Sequence, residues 1–176
     1  MLFQRRKSVL VASIVLCLAF VTAATASVMT GWHGLSQTQR NRLILARANR
    51  DLGRDMNMQC KEWVRLVVKD ASQNEVAIPS TRANNYEWNN HRYVTSYPRA
   101  CPPRGIVPGH IIQMVWTNQS NGVTNPHTAI ILSSTSSGMT WIDCNWQRDE
   151  VVRTHYVSYS QFEVCVGYLY TIYKIR

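Results

Sequence analysis

Cys60, His127, Asp143 and Asn145 are, in that chain order, the residues whose types could carry nucleophilic chemistry. A thiol becomes a strong nucleophile when a neighbouring imidazole takes its proton, and that imidazole needs a polar group behind it to fix its tautomer. Cys60 follows Gln59 at the expected start of a helix, and His127 opens the apolar run HTAIIL. Asp143 and Asn145 lie two apart in TWIDCNW, which puts both on one face of a strand. The chemistry these types imply is attack of a thiolate on a carbonyl carbon.

With Asn57 as helix cap, Cys60 falls in the first turn, where free N–H groups and the helix dipole favour a thiolate. The same donors could face an oxyanion, with Gln59 as a second contributor. The competing reading of Cys60 is a buried cysteine packed beside Trp63 and Val64, and that of Gln59 a solvent-facing amide. Asp143 could equally be a sheet-edge charge and Asn145 a turn residue. His110, after Pro108-Gly109, also precedes a strand and could serve as a structural histidine near the site. No close Cys-x-x-Cys or His-x-x-x-His pair supports a zinc site, and the thiol chemistry calls for no metal or organic cofactor.

These side chains need elements to hold them. Apolar residues recur at helical spacing from Leu35 to about Ala71, giving one helix from about Thr38 to Arg50, broken by Asp51-Leu52-Gly53, and a second ending near Lys69 to Ser72. From Ile78 to Arg104 the chain is rich in Asn, Tyr, Arg and Pro, which predicts a long loop able to shape a substrate cleft. Strand signals follow over Ile111 to Trp116, His127 to Leu132, Met139 to Trp146 and Glu163 to Tyr173. Their short connections imply antiparallel pairing, so the fold class is α+β, with helices packed on an antiparallel sheet or half-barrel.

The first 26 residues read as an address. Arg5, Arg6 and Lys7 precede the apolar stretch SVLVASIVLCLAFVTAATA, and Ala24-Thr25-Ala26 has the small-x-small pattern of a signal-peptidase site. An uncleaved membrane anchor is the alternative, and either one places residues 27–176 outside the cytoplasm. About 150 residues remain, enough for one domain, with 27–57 as an N-terminal helical extension. Without the leader's three basic residues the formal charge of +9 becomes +6. A positive surface outside the cytoplasm suits an anionic wall polymer or a membrane face, and no aromatic strand pattern of a nucleic-acid reader is present. Four cysteines persist: Cys60, Cys101, Cys144 and Cys165. A reactive Cys60 leaves three, so one disulfide and one free thiol are expected, with Cys144 meeting Cys165 or Cys101.

The chain resembles the CHAP branch of the NlpC/P60-like, papain-related peptidoglycan hydrolases from about Met58 to its end. QCKEWV is similar to that family's Gln-Cys opening of the nucleophile helix, PGHIIQMVW to its Pro-Gly-Asp-Ile strand, PHTAIIL to its Gly-His strand, and WIDCNW to its Glu-x-Asn strand. The resemblance implies a papain-like fold with Cys60 as nucleophile and His127 as base. It puts Asp143 at the Glu position and Asn145 at the Asn position. It further implies hydrolysis of a peptidoglycan amide, at the sugar-to-peptide junction or within the stem or cross-bridge peptide. His110 stands where the family has Asp, Pro126 where it has Gly, and Asp143 is one methylene shorter than Glu. A nonenzymatic envelope-binding protein, or a thiol acyltransferase or toxin, are the alternative functions, and nothing in the sequence calls for an obligate oligomer.

Overall fold

A computed structural model describes residues 31–78, 88, 92–96, 103 and 106–176. The leader, Cys101 and most of the Ile78 to Arg104 segment lie outside the described residues. The chain divides into two compact units, residues 1–35 and 36–176. In the first, the described residues form a single 3-10 turn, Trp32–Gly34. Among the described residues no helix is long and apolar enough to cross a membrane.

The second unit begins with helix α1 (Gln37–Asn49). Ser36 caps it by accepting from Gln39 N, while Gln39 Oε1 accepts from Ser36 N at 2.8 Å, a reciprocal capping box that satisfies two end donors. The helix stops at an Asp51-Leu52-Gly53 turn in which Gly53 takes φ +77. Helix α2 (Cys60–Ala71) follows and buries Trp63, Val64, Val67 and Val68 along one stripe, each valine contributing roughly 1.5–3 kcal/mol. Buried Asp51 joins the two helices: its Oδ2 accepts from Arg47 Nη1 at 2.6 Å and from Trp63 Nε1 at 3.0 Å.

Six strands form one antiparallel sheet: β1 (Val94–Ser96), β2 (Ile111–Thr117), β3 (Thr124–Ser134), β4 (Gly138–Cys144), β5 (Val152–Ser158) and β6 (Tyr170–Ile175). Their order across the sheet is β1-β6-β2-β3-β4-β5. Ile111, Ile130 and Ile142 stand in register on the face where α2 packs against β3 and β4. The opposite face carries Ile112, Met114, Ala129, Ile131 and Trp141, closed by Phe162 of the short helix α3 (Tyr159–Cys165). Gly109 brings the start of β2 against α1. It adopts φ +86, and a Cβ there would sit 2.6 Å from that of Asn41, whose amide donates to Pro108 O at 2.9 Å.

Three expectations change. The last strand begins at Tyr170 rather than Glu163, because Ser158 caps α3 and Gly167 at φ +57 turns the chain after it. β5 and the three-residue β1 carry too little periodic signal to stand out in the sequence. The expected disulfide is contradicted for Cys144 and Cys165: both are buried free thiols, as Cys60 is a free thiol at intermediate exposure. Cys144 does point to the sheet face opposite Asp143, but it meets backbone carbonyls there, with Sγ 3.0 Å from Glu150 O and 3.3 Å from Met58 O.

Candidate functional site

The cap of α2 is Gln59, not Asn57, which lies two residues earlier at φ +48. Cys60 is therefore the first helical residue, and its N–H is among those with no intrahelical acceptor. The segment leading into it is laced to the chain beyond β4. Gly53 N donates to Val152 O at 2.9 Å, Met56 N to Glu150 O at 3.0 Å, and Val152 N to Arg54 O at 3.0 Å. These bonds, together with the Cys144 thiol, fix where the helix starts.

From there Cys60 lines one cleft with His127, and His127 and the Thr128 backbone are the groups that act on its thiol. Burial alone would raise the thiol's pKa; the His127 hydrogen bond and charge, aided by Thr128, outweigh it and hold Cys60 below the ordinary thiol value. His127 shows the reverse balance. Burial opposes its protonation, but Asp143 and Cys60 push it up to about 9. A thiolate and an imidazolium are thus mutually stabilised, and the pair titrates as a unit.

Asp143 is fully buried behind His127. Its Oδ2 lies 3.2 Å from His127 Nε2, an ion-pair contact that falls short of hydrogen-bond alignment, and accepts from Trp141 Nε1 at 2.6 Å. Nε2 being turned to the carboxylate, Nδ1 is the ring nitrogen that remains for the thiol. Trp146 covers the imidazole edge to face with ring centroids 4.8 Å apart, which excludes water from one side.

Asn145 takes a different place from the one its spacing suggested. β4 ends at Cys144 and Asn145 turns away at φ +69, so it leaves the face shared by Asp143 and His127. Its Nδ2 donates to Gln59 Oε1 at 2.7 Å and its Oδ1 accepts from Glu150 N at 3.2 Å. Gln59 Nε2 in turn donates to Glu150 Oε1 at 3.2 Å. Cys60, His127 and Asp143 are brought together, whereas Asn145 and Gln59 form a separate network at the rim. The Gln59 amide is engaged with Asn145 and Glu150, while the Cys60 N–H stands at the open end of the helix. His110 is buried at the start of β2, bonded through its carbonyl to Ile131 N, four residues along β3 from His127, and burial followed by the charge of Lys174 pushes it down to about 4.

Two functional neighbours carried no signal strong enough to be singled out. Trp141 anchors the carboxylate, and its place two residues before Asp143 on a strand was the available clue. His155 on β5 has Nε2 3.6 Å from Asp143 Oδ1, and neither atom has an aligned hydrogen-bond partner. Burial keeps His155 below its ordinary value, with His127 and Arg153 adding to the effect against the pull of Asp143. Among the described residues no group of three His, Cys, Asp or Glu side chains could hold a metal ion.

The pair opens into a cleft of about 780 Å³ lined by residues that include Gln59, Trp116, Trp146, Arg148 and Glu150. The structure thus sets a thiol at a helix start facing an imidazole on an antiparallel sheet. The sequence matches no protein-family model and no curated protein. The fold is similar to that of the solved structure of Ly7917, with a TM-score of 0.51 and 12% sequence identity, the match covering 78% of this chain and 62% of that one. A second structure, Ly7917 with the hydrolyzing product of MDP, matches at the same TM-score and identity over the same shares of the two chains.

Proposed function

We propose that this chain is an exported peptidoglycan hydrolase of the CHAP-type, NlpC/P60-like class, cleaving an amide by a cysteine–histidine mechanism. One observation carries the reading: Cys60, the first residue of α2, lines one cleft with a His127 that is backed by the buried Asp143 carboxylate. The fold-level likeness to Ly7917, whose structure was solved with a hydrolysis product of MDP, supports it. The basic leader and apolar stretch support export to the periplasm or wall, and the positive charge of the chain suits an anionic polymer.

In this mechanism the Cys60 thiolate attacks the amide carbonyl, and the Cys60 N–H at the helix start receives the developing oxyanion. Imidazolium His127 then gives its proton to the leaving amine. A water molecule, deprotonated by the now neutral His127, opens the thioester. Asp143 orients the ring throughout, and Trp141 orients Asp143. Asn145 and Gln59 shape the rim of the cleft.

The test is mass spectrometry of purified peptidoglycan digested by the full chain, with Cys60→Ala as control. Defined muropeptides that vanish in the control are expected, a loss of at least about 10³-fold in turnover. Undiminished turnover by folded Cys60→Ala protein would sink the covalent mechanism.

A further inference from the structure

The carboxylate behind His127 has a second imidazole beside it. Asp143 Oδ2 is doubly engaged, accepting from Trp141 Nε1 at 2.6 Å with His127 Nε2 at 3.2 Å. Oδ1 is buried without an aligned donor, and His155 Nε2, itself buried and unmatched, stands 3.6 Å from it. That separation is a few tenths of an ångström beyond a hydrogen bond, and contacts around a reacting centre commonly tighten when substrate binds. A carboxylate oxygen held out of water is costly to leave unpaired, so the two atoms have reason to close.

Sheet register and one indole determine where this ring sits. On β4 and β5, Trp141 pairs with His155 and Asp143 with Arg153, so all four side chains share a face. The Trp146 ring lies against both imidazoles, with centroids 4.8 Å from His127 and 5.3 Å from His155. The charged groups around His155 favour its neutral form. Burial keeps it below its ordinary value against the pull of Asp143, and the charges of His127 and Arg153 add to burial. Arg153 is itself bound to Asp149 Oδ1 at 2.7 Å. Glu163 on α3, and Arg54 and Asp55 beside the start of β5, are exposed. A neutral imidazole can give the carboxylate a hydrogen bond without adding a cation that would compete with His127 for it.

We propose that His155 is a positioning residue for the thiol reaction: its Nε2–H closes onto Asp143 Oδ1 and keeps Oδ2 turned to His127. The role rests on the hydrolase reading above and leaves its bond changes as they are, since His127 carries the transferred proton and His155 retains its own. With Trp141 on Oδ2 and His155 on Oδ1, the carboxylate plane is fixed from both ends. Without the His155 donor the carboxylate can turn about its Cβ–Cγ bond. His127 then loses part of the charge that supports its proton, and Cys60 loses part of the support for its thiolate.

Two variants of the full chain separate the donor from the ring. His155→Phe keeps a flat ring against Trp146 and removes the donor, whereas His155→Gln removes the ring and supplies a neutral N–H at nearly the same reach. In His155→Phe the NMR titration midpoint of His127, raised to about 9 in the unsubstituted chain, is expected to fall by about one pH unit. The pH midpoint for alkylation of Cys60 by iodoacetamide is expected to rise. Turnover of peptidoglycan falls about tenfold in kcat with KM within about twofold, and His155→Gln restores all three. A ring that only fills space would lower Tm and move neither midpoint. In the unsubstituted chain, 15N shifts are expected to place the His155 proton on Nε2, a reading that needs no variant to fold. A proton on Nδ1 instead, unmoved midpoints in His155→Phe, or equal shifts in both variants would each overturn the proposal. Midpoints that move and are restored, with no cleavage of peptidoglycan by any form, support the role of His155 and overturn the hydrolase reading. Cleavage with unmoved midpoints does the reverse.

Discussion

The two walls that meet at Cys60 hold their polar groups by opposite means. On one side His127 and Asp143 project from adjacent strands, and sheet register together with burial determines where they sit. On the other, three hydrogen bonds tie Gln59, the cap of α2, to Asn145 and Glu150 of the loop after β4 and those two to each other. In that loop Asn145, Arg148 and Glu150 all adopt positive φ, at 69°, 61° and 59°. Left-handed backbone in non-glycine residues costs roughly 1–3 kcal/mol each and persists where its surroundings hold it in place. A strand wall positions a base to within a fraction of an ångström, whereas a looped rim can be rebuilt for a different substrate without disturbing the base. On the proposed mechanism, proton transfer belongs to the first wall and recognition to the second.

Substitutions that break the strand wall are expected to have the largest effects. Asp143→Ala removes the partner of His127 and the acceptor of Trp141. A fall in kcat/KM of about 10³-fold follows, with about 1–3 kcal/mol of stability lost through the orphaned indole, readable in steady-state kinetics and denaturant melts. An equal loss from Asn145→Ala would show that the division between the walls is false.

The pH profile sharpens the same point. His127 is raised to about 9, so its contribution to stability is fully present below its unfolded value near 6.5 and is lost as pH rises through about 9. Turnover follows the imidazolium: above about 9 it is expected to fall about tenfold per pH unit. Cys60 is depressed, so the acid limb appears as pH drops through its lowered value and the thiolate protonates. Weakening the carboxylate with Asp143→Asn is expected to move the alkaline limb to lower pH, which a kcat/KM profile detects.

At the rim, Asn145→Ala frees Gln59 and is expected to change KM by less than about tenfold with kcat nearly unchanged. The smallest effect is expected from Cys144→Ala. Its thiol supplies one proton to two carbonyls, so about 1 kcal/mol of stability goes, seen as a lower Tm, while kcat stays within about twofold.

What the sequence could and could not disclose follows the same division. Cys60, His127 and Asp143 were legible because each begins or lies within an element with a clear period, so neighbouring residues announced its place. Asn145 was read by extending the two-residue period one step too far; asparagine tolerates left-handed backbone, and the strand ends just before it. β5 lies at the sheet edge, where only Val152 and Val157 are buried, so its alternation is faint and His155 went unremarked. β1 exists by pairing with β6, about eighty residues away in sequence, and no local pattern encodes such a partner. In α3 the buried residues Tyr159, Phe162 and Cys165 recur every third position, yet aromatic and β-branched content made the segment look like a strand. The cysteine pairing failed for another reason: parity correctly sent Cys144 to the far face, but backbone carbonyls occupy that face where a second sulfur was expected.

The unpaired thiols have a bearing on reagents. Burial, followed by the charge of Asp143, pushes Cys144 up to about 12, and burial likewise raises Cys165, while His127 holds Cys60 low. Electrophiles consume thiolate, so at neutral pH Cys60 is the most available of the three described sulfurs. Among the described thiols, a mild alkylating tag would therefore mark Cys60 ahead of the buried Cys144 and Cys165.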